Sequence, residues 1–163
     1  NLEVAQMGEG TETNLYGLAL VGNEQETDTH STITLNHPNG MTDQLYKCIV
    51  DDKAHSVFNG KIYVSQTAQL TNAAQLNRNL LLSSGGRVDT KPQLEIIADN
   101  VQCSHGATVS QLNDDEVFYL QSRGLSEEAS RNLLIDAFAA EIINKLPLPS
   151  LQHILKQCVA CKV

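Results

Sequence analysis

Apolar residues come in short bursts over the first two thirds of the chain and at helical spacing over the last third. The bursts include Leu15–Val21, Tyr46–Val50 and Ile62–Val64, and polar turn clusters such as Gly22–Glu24 separate them. Many short strands divided by frequent turns are typical of an all-β unit. The pattern therefore predicts β structure over residues 1–112, and it leaves a sandwich, a barrel and a β-helix open.

One feature of the apolar bursts favours a β-helix. Runs such as Leu80–Leu82 do not alternate with polar residues, as is usual for strands that are covered on both faces. The internal repeat is weak, with neither a hexapeptide array nor a Ca²⁺-binding nonapeptide. Asn72, Asn77 and Asn79 could form side-chain ladders at turns, but ordinary loop positions are the favoured interpretation. Residues 68–82 are rich in Ala and Leu and could also form a helix by propensity.

The period changes to that of helices after residue 113. Asn113 is expected to cap a first helix, whose first-turn acids suit the helix dipole, and Gly124 is expected to end it. Ser126 is expected to cap a second helix that Pro147 and Pro149 end. Its apolar stripe is predicted on Leu133, Leu134, Ala137, Phe138 and Ile142.

A third helix is predicted after the two prolines. Ser150 is expected to cap it, and the residues predicted on its apolar face are Leu151, Ile154, Leu155, Cys158 and Val159. The sequence therefore predicts a small helical domain over residues 113–163. One face of the first helix is expected to cover the end of the β unit, because solenoid ends need capping.

Composition and charge exclude several classes of partner. The net charge is −8 and the isoelectric point is about 5.0, which argues against binding to nucleic acid or to an anionic membrane. Tryptophan is absent and no apolar run is long enough to span a bilayer. The chain opens at Asn1 with the strand-like Leu2–Ala5, which we interpret as a fragment whose N-terminal part is missing. Four scattered cysteines indicate reduced thiols.

Cys103 and His105 form the one close Cys/His pair in the sequence. At the strand period of two they share a face, where a thiolate and an imidazole could ligate iron or zinc or act as nucleophile and base. The spacing alone favours a small buried Cys and a hydrogen-bonded His. Cys158 and Cys161 form a C-x-x-C motif at a helix end, where two ordinary helix cysteines are favoured.

Three long motifs resemble a known family. Lys91–Val101, Cys103–Thr108 and Phe118–Gly124 strongly resemble the SufB/SufD family of the Suf iron–sulfur cluster assembly machinery, and the SufD side of it in particular. The match is continuous over roughly residues 35–143. It implies a mainly β fold, with a right-handed parallel β-helix core followed by a small α-helical domain. It also implies a cytoplasmic protein, or one of the plastid stroma.

The resemblance further implies a non-catalytic scaffold subunit. The core pairs with the SufB paralogue, the helical domain docks the SufC ATPase of the ABC type, and a homodimer could form in isolation. No tightly bound cofactor is expected, only transient iron or an iron–sulfur cluster at the interface with SufB. The functional histidine of the family corresponds to His105, with a less secure role for Cys103. In SufB an acidic residue follows this histidine, whereas Gly106 stands here.

The docking surface is expected on the first helix and its end, at Phe118, Tyr119, Leu120, Arg123 and Gly124. Two other functions remain open at this stage. A β-helix enzyme acting on carbohydrate or transferring acyl groups would want a carboxylate cluster, aromatic platforms or hexapeptide repeats, which are scarce here. A purely structural interaction module would differ from the scaffold only in not needing His105.

Overall fold

The computed structural model describes residues 1–160, without the side chains of three residues near the end of the last helix. Eight strands precede three helices in this part of the chain. Cys161, and with it the C-x-x-C motif that includes the Cys158 side chain, lies outside the described residues. The strands are β1 Leu2–Gln6, β2 Glu12–Val21, β3 Glu26–Leu35, β4 Met41–Val50, β5 His55–Val64, β6 Asn72–Leu81, β7 Arg87–Ile96 and β8 Gln102–Gln111; the helices are α1 Asp114–Ser122, α2 Glu127–Ile143 and α3 Pro149–Ala160.

The strands alternate between two parallel sheets. The first sheet has the order β1-β3-β5-β7 and the second has the order β2-β4-β6-β8. Each consecutive pair of strands is therefore one coil of a parallel β-solenoid, and each coil stacks in register on the one before it. This confirms the β-helix and excludes the sandwich and the barrel. Residues 68–82 supply strand β6, so the helical alternative for them is wrong.

One stack of turns repeats a left-handed backbone conformation from coil to coil. Gly10, Asn39 and Leu70 all have φ near +60°, and each N–H donates to a carbonyl oxygen in the turn of the next coil. Gly and Asn tolerate this region, whereas for a residue such as Leu it costs roughly 1–2 kcal/mol. Leu70 is therefore an unfavourable residue for the backbone conformation of this turn, and its side chain is also exposed.

Replacing Leu70 by Asn is expected to stabilise the chain. Because the exposed leucine contributes little burial, removing the left-handed strain should raise the free energy of unfolding by about 1 kcal/mol. The midpoint of urea denaturation measures this change. The reverse substitution at the matching position of the preceding coil, Asn39→Leu, should lower the midpoint. Equal midpoints for all three proteins would contradict the strain at this turn.

The interior of the solenoid has two buried apolar clusters with polar side chains between them. Cys48 and Val50 at the end of β4 form one cluster with Ala54. Ile33, Leu35, Ile62 and Val64 are fully buried in the other cluster at the ends of β3 and β5. A row of buried polar side chains lies between the two clusters, namely Ser31, Gln44, Ser56, Gln75, Asn77 and Asn79. The favoured interpretation of Asn72, Asn77 and Asn79 as loop residues is therefore wrong, because all three lie within β6. Asn77 and Asn79 instead hydrogen-bond to each other and to neighbouring strands inside the coil.

Helix α2 lies on the outer face of the second sheet. Its residues Ile135, Ala139 and Ile143 are buried against Ile49 of β4 and Leu80 of β6. The predicted stripe is wrong in part, because Leu133 is exposed and the buried row runs one to two residues further along. Apolar residues of α2 lie on more than one side of the helix. Their spacing in the sequence therefore does not determine which side packs on the sheet.

The first two helices begin where the sequence indicates. The Asn113 side chain accepts a hydrogen bond from the N–H of Asp115, the Ser126 hydroxyl accepts one from the N–H of Ala129, and Gly124 ends α1 with φ +96°. The second helix ends at Ile143, before either proline. The third begins at Pro149, because proline suits the first helical position, and the expected Ser150 cap is wrong.

The helices leave the end of the solenoid uncovered. Helix α1 packs on α2, and α2 packs on β2 and β4, so the expectation that α1 covers the end of the β unit is wrong. In α3, Leu155 and Val159 pack toward the sheet, while Leu151 and Ile154 are exposed and do not form the expected face. Of the three helices in residues 1–160, none combines the length and apolar character that a bilayer crossing requires.

Candidate functional site at the open coil

The last coil of the described solenoid presents two unpaired strand edges. Strands β7 and β8 are each the outermost strand of a sheet. The N–H of Gln102 donates to the carbonyl oxygen of Thr71, the residue directly before β6. Since alternate residues of a strand direct their backbone groups to opposite edges, the N–H groups of His105, Ala107 and Val109 are directed to the open edge. Such a row of free donors and acceptors is a template for pairing with another chain.

Cys103 and His105 lie on this outermost strand and on the same face of it. In register, Cys103 lies beside the buried Ala73 and His105 lies beside the buried Gln75. Both side chains therefore belong to the inward face of the last coil. Cys103 is half-buried against the apolar cluster, whereas His105 is exposed because no further coil stacks above it.

The pair supplies two soft ligands and no more. Burial raises the pKa of the Cys103 thiol, with a smaller opposite effect from a hydrogen bond to the backbone of Ala73. A raised pKa keeps the thiol protonated near neutral pH, which weakens the nucleophile–base alternative. Within residues 1–160, no group of three or more His, Cys, Asp or Glu side chains is placed to hold a metal ion. A metal held here would need ligands from elsewhere.

A buried row of side-chain amides leads to His105, and the sequence interpretation missed it. Gln44 Nε2 donates to Ser31 Oγ at 2.7 Å, and Gln75 Nε2 donates to Gln44 Oε1 at 2.8 Å. Strand pairing places Gln44, Gln75 and His105 at one register position on β4, β6 and β8. The signal in the sequence was two glutamines 31 residues apart. It could be interpreted only once the coil length was known.

The predicted docking residues lie on α1 and directly after it, and all of them except Leu120 are exposed. Phe118 is 71% exposed and Tyr119 is also exposed, while Leu120 is half-buried and Val117 is buried. Arg123 stacks on the ring of Tyr119 at 5.3 Å and donates to its hydroxyl at 3.3 Å. Exposed large apolar side chains next to an ordered cation are typical of an interaction surface.

A buried lysine connects the helices to the solenoid. Lys47 of β4 is only 3% exposed, and its Nζ contacts a Glu141 carboxylate oxygen and donates to the Phe138 carbonyl oxygen at 2.8 Å. Arg78 of β6 reaches the same carboxylate at 3.3 Å. The hydrogen bond from Lys47 lowers the pKa of Glu141. Helix α2 is therefore joined to strands β4 and β6 by charged contacts at Glu141.

The fold and this site define a β-solenoid protein whose candidate metal ligands lie at an edge open to another chain. The family model described as SUF system FeS cluster assembly, SufBD core domain, matches residues 1–138, and the chain belongs to this family. Its fold therefore agrees with the resemblance seen in the sequence. Membership gives no support to the carbohydrate-active or acyl-transferring alternative.

Curated relatives agree with the family. The chain is 60% identical over 99% of its length to an iron–sulfur cluster assembly SufBD family protein of Synechocystis, of which it covers 36%. It is 47% identical over 90% of its length to the chloroplastic protein ABCI7 of Arabidopsis thaliana and 43% identical over 85% to SufD of Escherichia coli, covering 31% and 33% of them. The chain thus spans about a third of the length of these relatives.

Proposed function

We propose that this chain is a SufD-type, non-catalytic scaffold subunit that builds iron–sulfur clusters together with a SufB-type paralogue and a SufC-type ATPase. Its place of action is the cytoplasm or the plastid stroma, and its binding partners are proteins rather than nucleic acid or membrane. The observation that carries the proposal is the open coil. Two candidate metal ligands lie on the inner face of a strand whose edge is free to pair, and the described residues hold no complete ligand set beside them.

Pairing across the open edge would bring a second set of ligands to His105. The partner strand would continue the sheet along β8, and side chains on its inward face would then approach His105 and Cys103. Iron, or a nascent cluster, is the cargo of this joint site. The exposed patch at Phe118 and Tyr119 is the proposed ATPase contact. Lys47 would pass a movement of α2 to the strands around the site, and this would connect the ATPase contact with the site.

Ala107→Pro is expected to weaken pairing with the paralogue while leaving the fold intact. The Ala107 N–H is directed to the open edge, so proline removes a donor that no strand within the chain uses, and proline is tolerated on such edges. Loss of one backbone hydrogen bond and local misfit should lower the affinity on the order of tenfold. Sedimentation of the mixed subunits measures it.

Ala107→Val is the matched control for this substitution. It keeps the N–H and adds a branched side chain at the same position, so it should pair as the native chain does. Unchanged affinity of the proline variant would place the joint elsewhere on the surface. Loss of self-association alone, with pairing to the paralogue intact, would assign the open edge to a homodimer and contradict the proposed heterodimer.

A further inference from the structure

The side-chain oxygen of Gln75 is buried and makes no hydrogen bond in the structure. The side chain is 2% exposed, and its Oε1 is among the few buried polar atoms that lack a hydrogen bond. A buried carbonyl oxygen without a donor is costly, so such atoms usually mark a missing partner. The position of this atom in the coil identifies which donor is available.

The orientation of the Gln75 amide follows from the row beneath it. Because Gln44 donates its own nitrogen to Ser31 Oγ, its oxygen is left to accept, and it accepts from Gln75 Nε2. The nitrogen of Gln75 is thereby committed toward β4, and its oxygen is on the opposite side of the amide group. The next strand on that side is β8, where His105 occupies the paired position.

The facing sheet leaves room for this amide. A Cβ added at Gly60 on β5 would lie 2.6 Å from Gln75 Nε2, so a side chain at that position would displace the glutamine. Neighbouring strands are about 4.8 Å apart, so a change of rotamer would bring the imidazole of His105 to the Gln75 oxygen. The two side chains make no hydrogen bond in the structure. The structure thus provides a buried acceptor, a fixed orientation for it and a nearby donor.

We propose that Gln75 is a positioning residue for His105, whose ring N–H donates to Gln75 Oε1 while the other ring nitrogen keeps its lone pair for a metal ion. The inference rests on the proposed function, since it deepens the role of the same histidine. A neutral imidazole carries one N–H and one acceptor nitrogen, and an acceptor that fixes the N–H side selects one tautomer. Metal-ligating histidines commonly have such a second partner, which orients the ring.

The first test is a measurement on the native, metal-free chain labelled with ¹⁵N. At a pH at which the ring is neutral, two-bond proton–nitrogen spectra should show His105 as one tautomer, identified by the signals absent from His105→Ala. A mixture of both tautomers in the native chain would overturn the inference without any variant of the glutamine. This result does not depend on iron.

The second test replaces the acceptor. Gln75→Met keeps the length of the side chain and removes the oxygen, so His105 should become a mixture of tautomers. Asn79→Leu is the matched control, because Asn79 is on the same strand and face and has an unpartnered Oδ1, yet lies beside Val109. The inference is overturned if Gln75→Met leaves the tautomer unchanged, or if Asn79→Leu alters it equally.

The third test separates this inference from the proposed function. Ferrous iron alone is titrated anaerobically into the complex of the full chain with its paralogue. Gln75→Met should weaken binding by about 10–100-fold, as is typical for residues behind a metal ligand. If His105→Ala binds iron like the native complex, the proposed function fails. If His105→Ala loses binding while Gln75→Met does not, only the inference about Gln75 fails.

Discussion

Replacing His105 by alanine is expected to reduce the delivery of iron–sulfur clusters by at least about tenfold, with the fold and the partner complex intact. The imidazole is exposed on the last strand, so its removal should change the free energy of unfolding by no more than about 0.5 kcal/mol. Under the proposed function the joint site would lose its imidazole ligand, and only Cys103 would remain of the two candidate ligands on β8. Transfer of clusters to an apo-acceptor protein by the reconstituted assembly measures the loss.

His30→Ala is the matched control for this experiment. His30 is also an exposed histidine within a strand, and it pairs with Asp28 at 2.8 Å in an earlier coil, remote from the open edge. This variant should deliver clusters at the native rate. Native delivery by His105→Ala would make the residue structural, and the chain would then be the interaction module rather than a ligand-bearing scaffold.

Phe118→Ser is expected to weaken capture of the ATPase by at least about tenfold. An exposed aromatic residue at the centre of an interface commonly contributes more than 1 kcal/mol to binding, and 1.4 kcal/mol corresponds to tenfold in affinity. The fold should be unaffected, because this ring is directed to solvent while Val117 holds α1 onto the rest of the chain. Titration calorimetry of the ATPase with the native chain and the variant measures the difference.

Met7→Ser is the matched control, since Met7 is 74% exposed and lies in a turn of the first described coil, away from the helices. Equal affinity of Phe118→Ser and the native chain would move the docking surface off α1. Deleting residues 114–163 would be a poorer test. Ile49, Leu80 and Lys47 would then be uncovered on the outer face of the second sheet, so lost binding could reflect aggregation.

The sequence was most informative where one residue determines local geometry. Asn113 and Ser126 are caps whose side chains meet backbone N–H groups two or three residues ahead, and Gly124 has the positive φ that glycine permits. Strand positions were also predictable, because bursts of apolar residues and polar turns alternate along the chain. These signals act over a few residues and do not require knowledge of the packing.

The features that the sequence did not predict depend on contacts between residues that are far apart in the chain. Nothing local distinguishes the buried Ile135 from the exposed Leu133 on α2, because the choice is made by Ile49 and Leu80 on the sheet. From the sequence alone, Gln44 and Gln75 would be expected on the surface. Only the coil length shows that they stack on each other inside the solenoid. The open edge likewise follows from the stacking order and has no local signature.

The most direct test of a site shared between two chains is an anaerobic crystal structure of the complex with its paralogue, loaded with ferrous iron and measured at the iron absorption edge. An anomalous peak is predicted within bonding distance of a His105 ring nitrogen, with the remaining ligands supplied by the partner across β8. A peak whose protein ligands all come from one chain, or iron bound away from the open coil, would contradict the account.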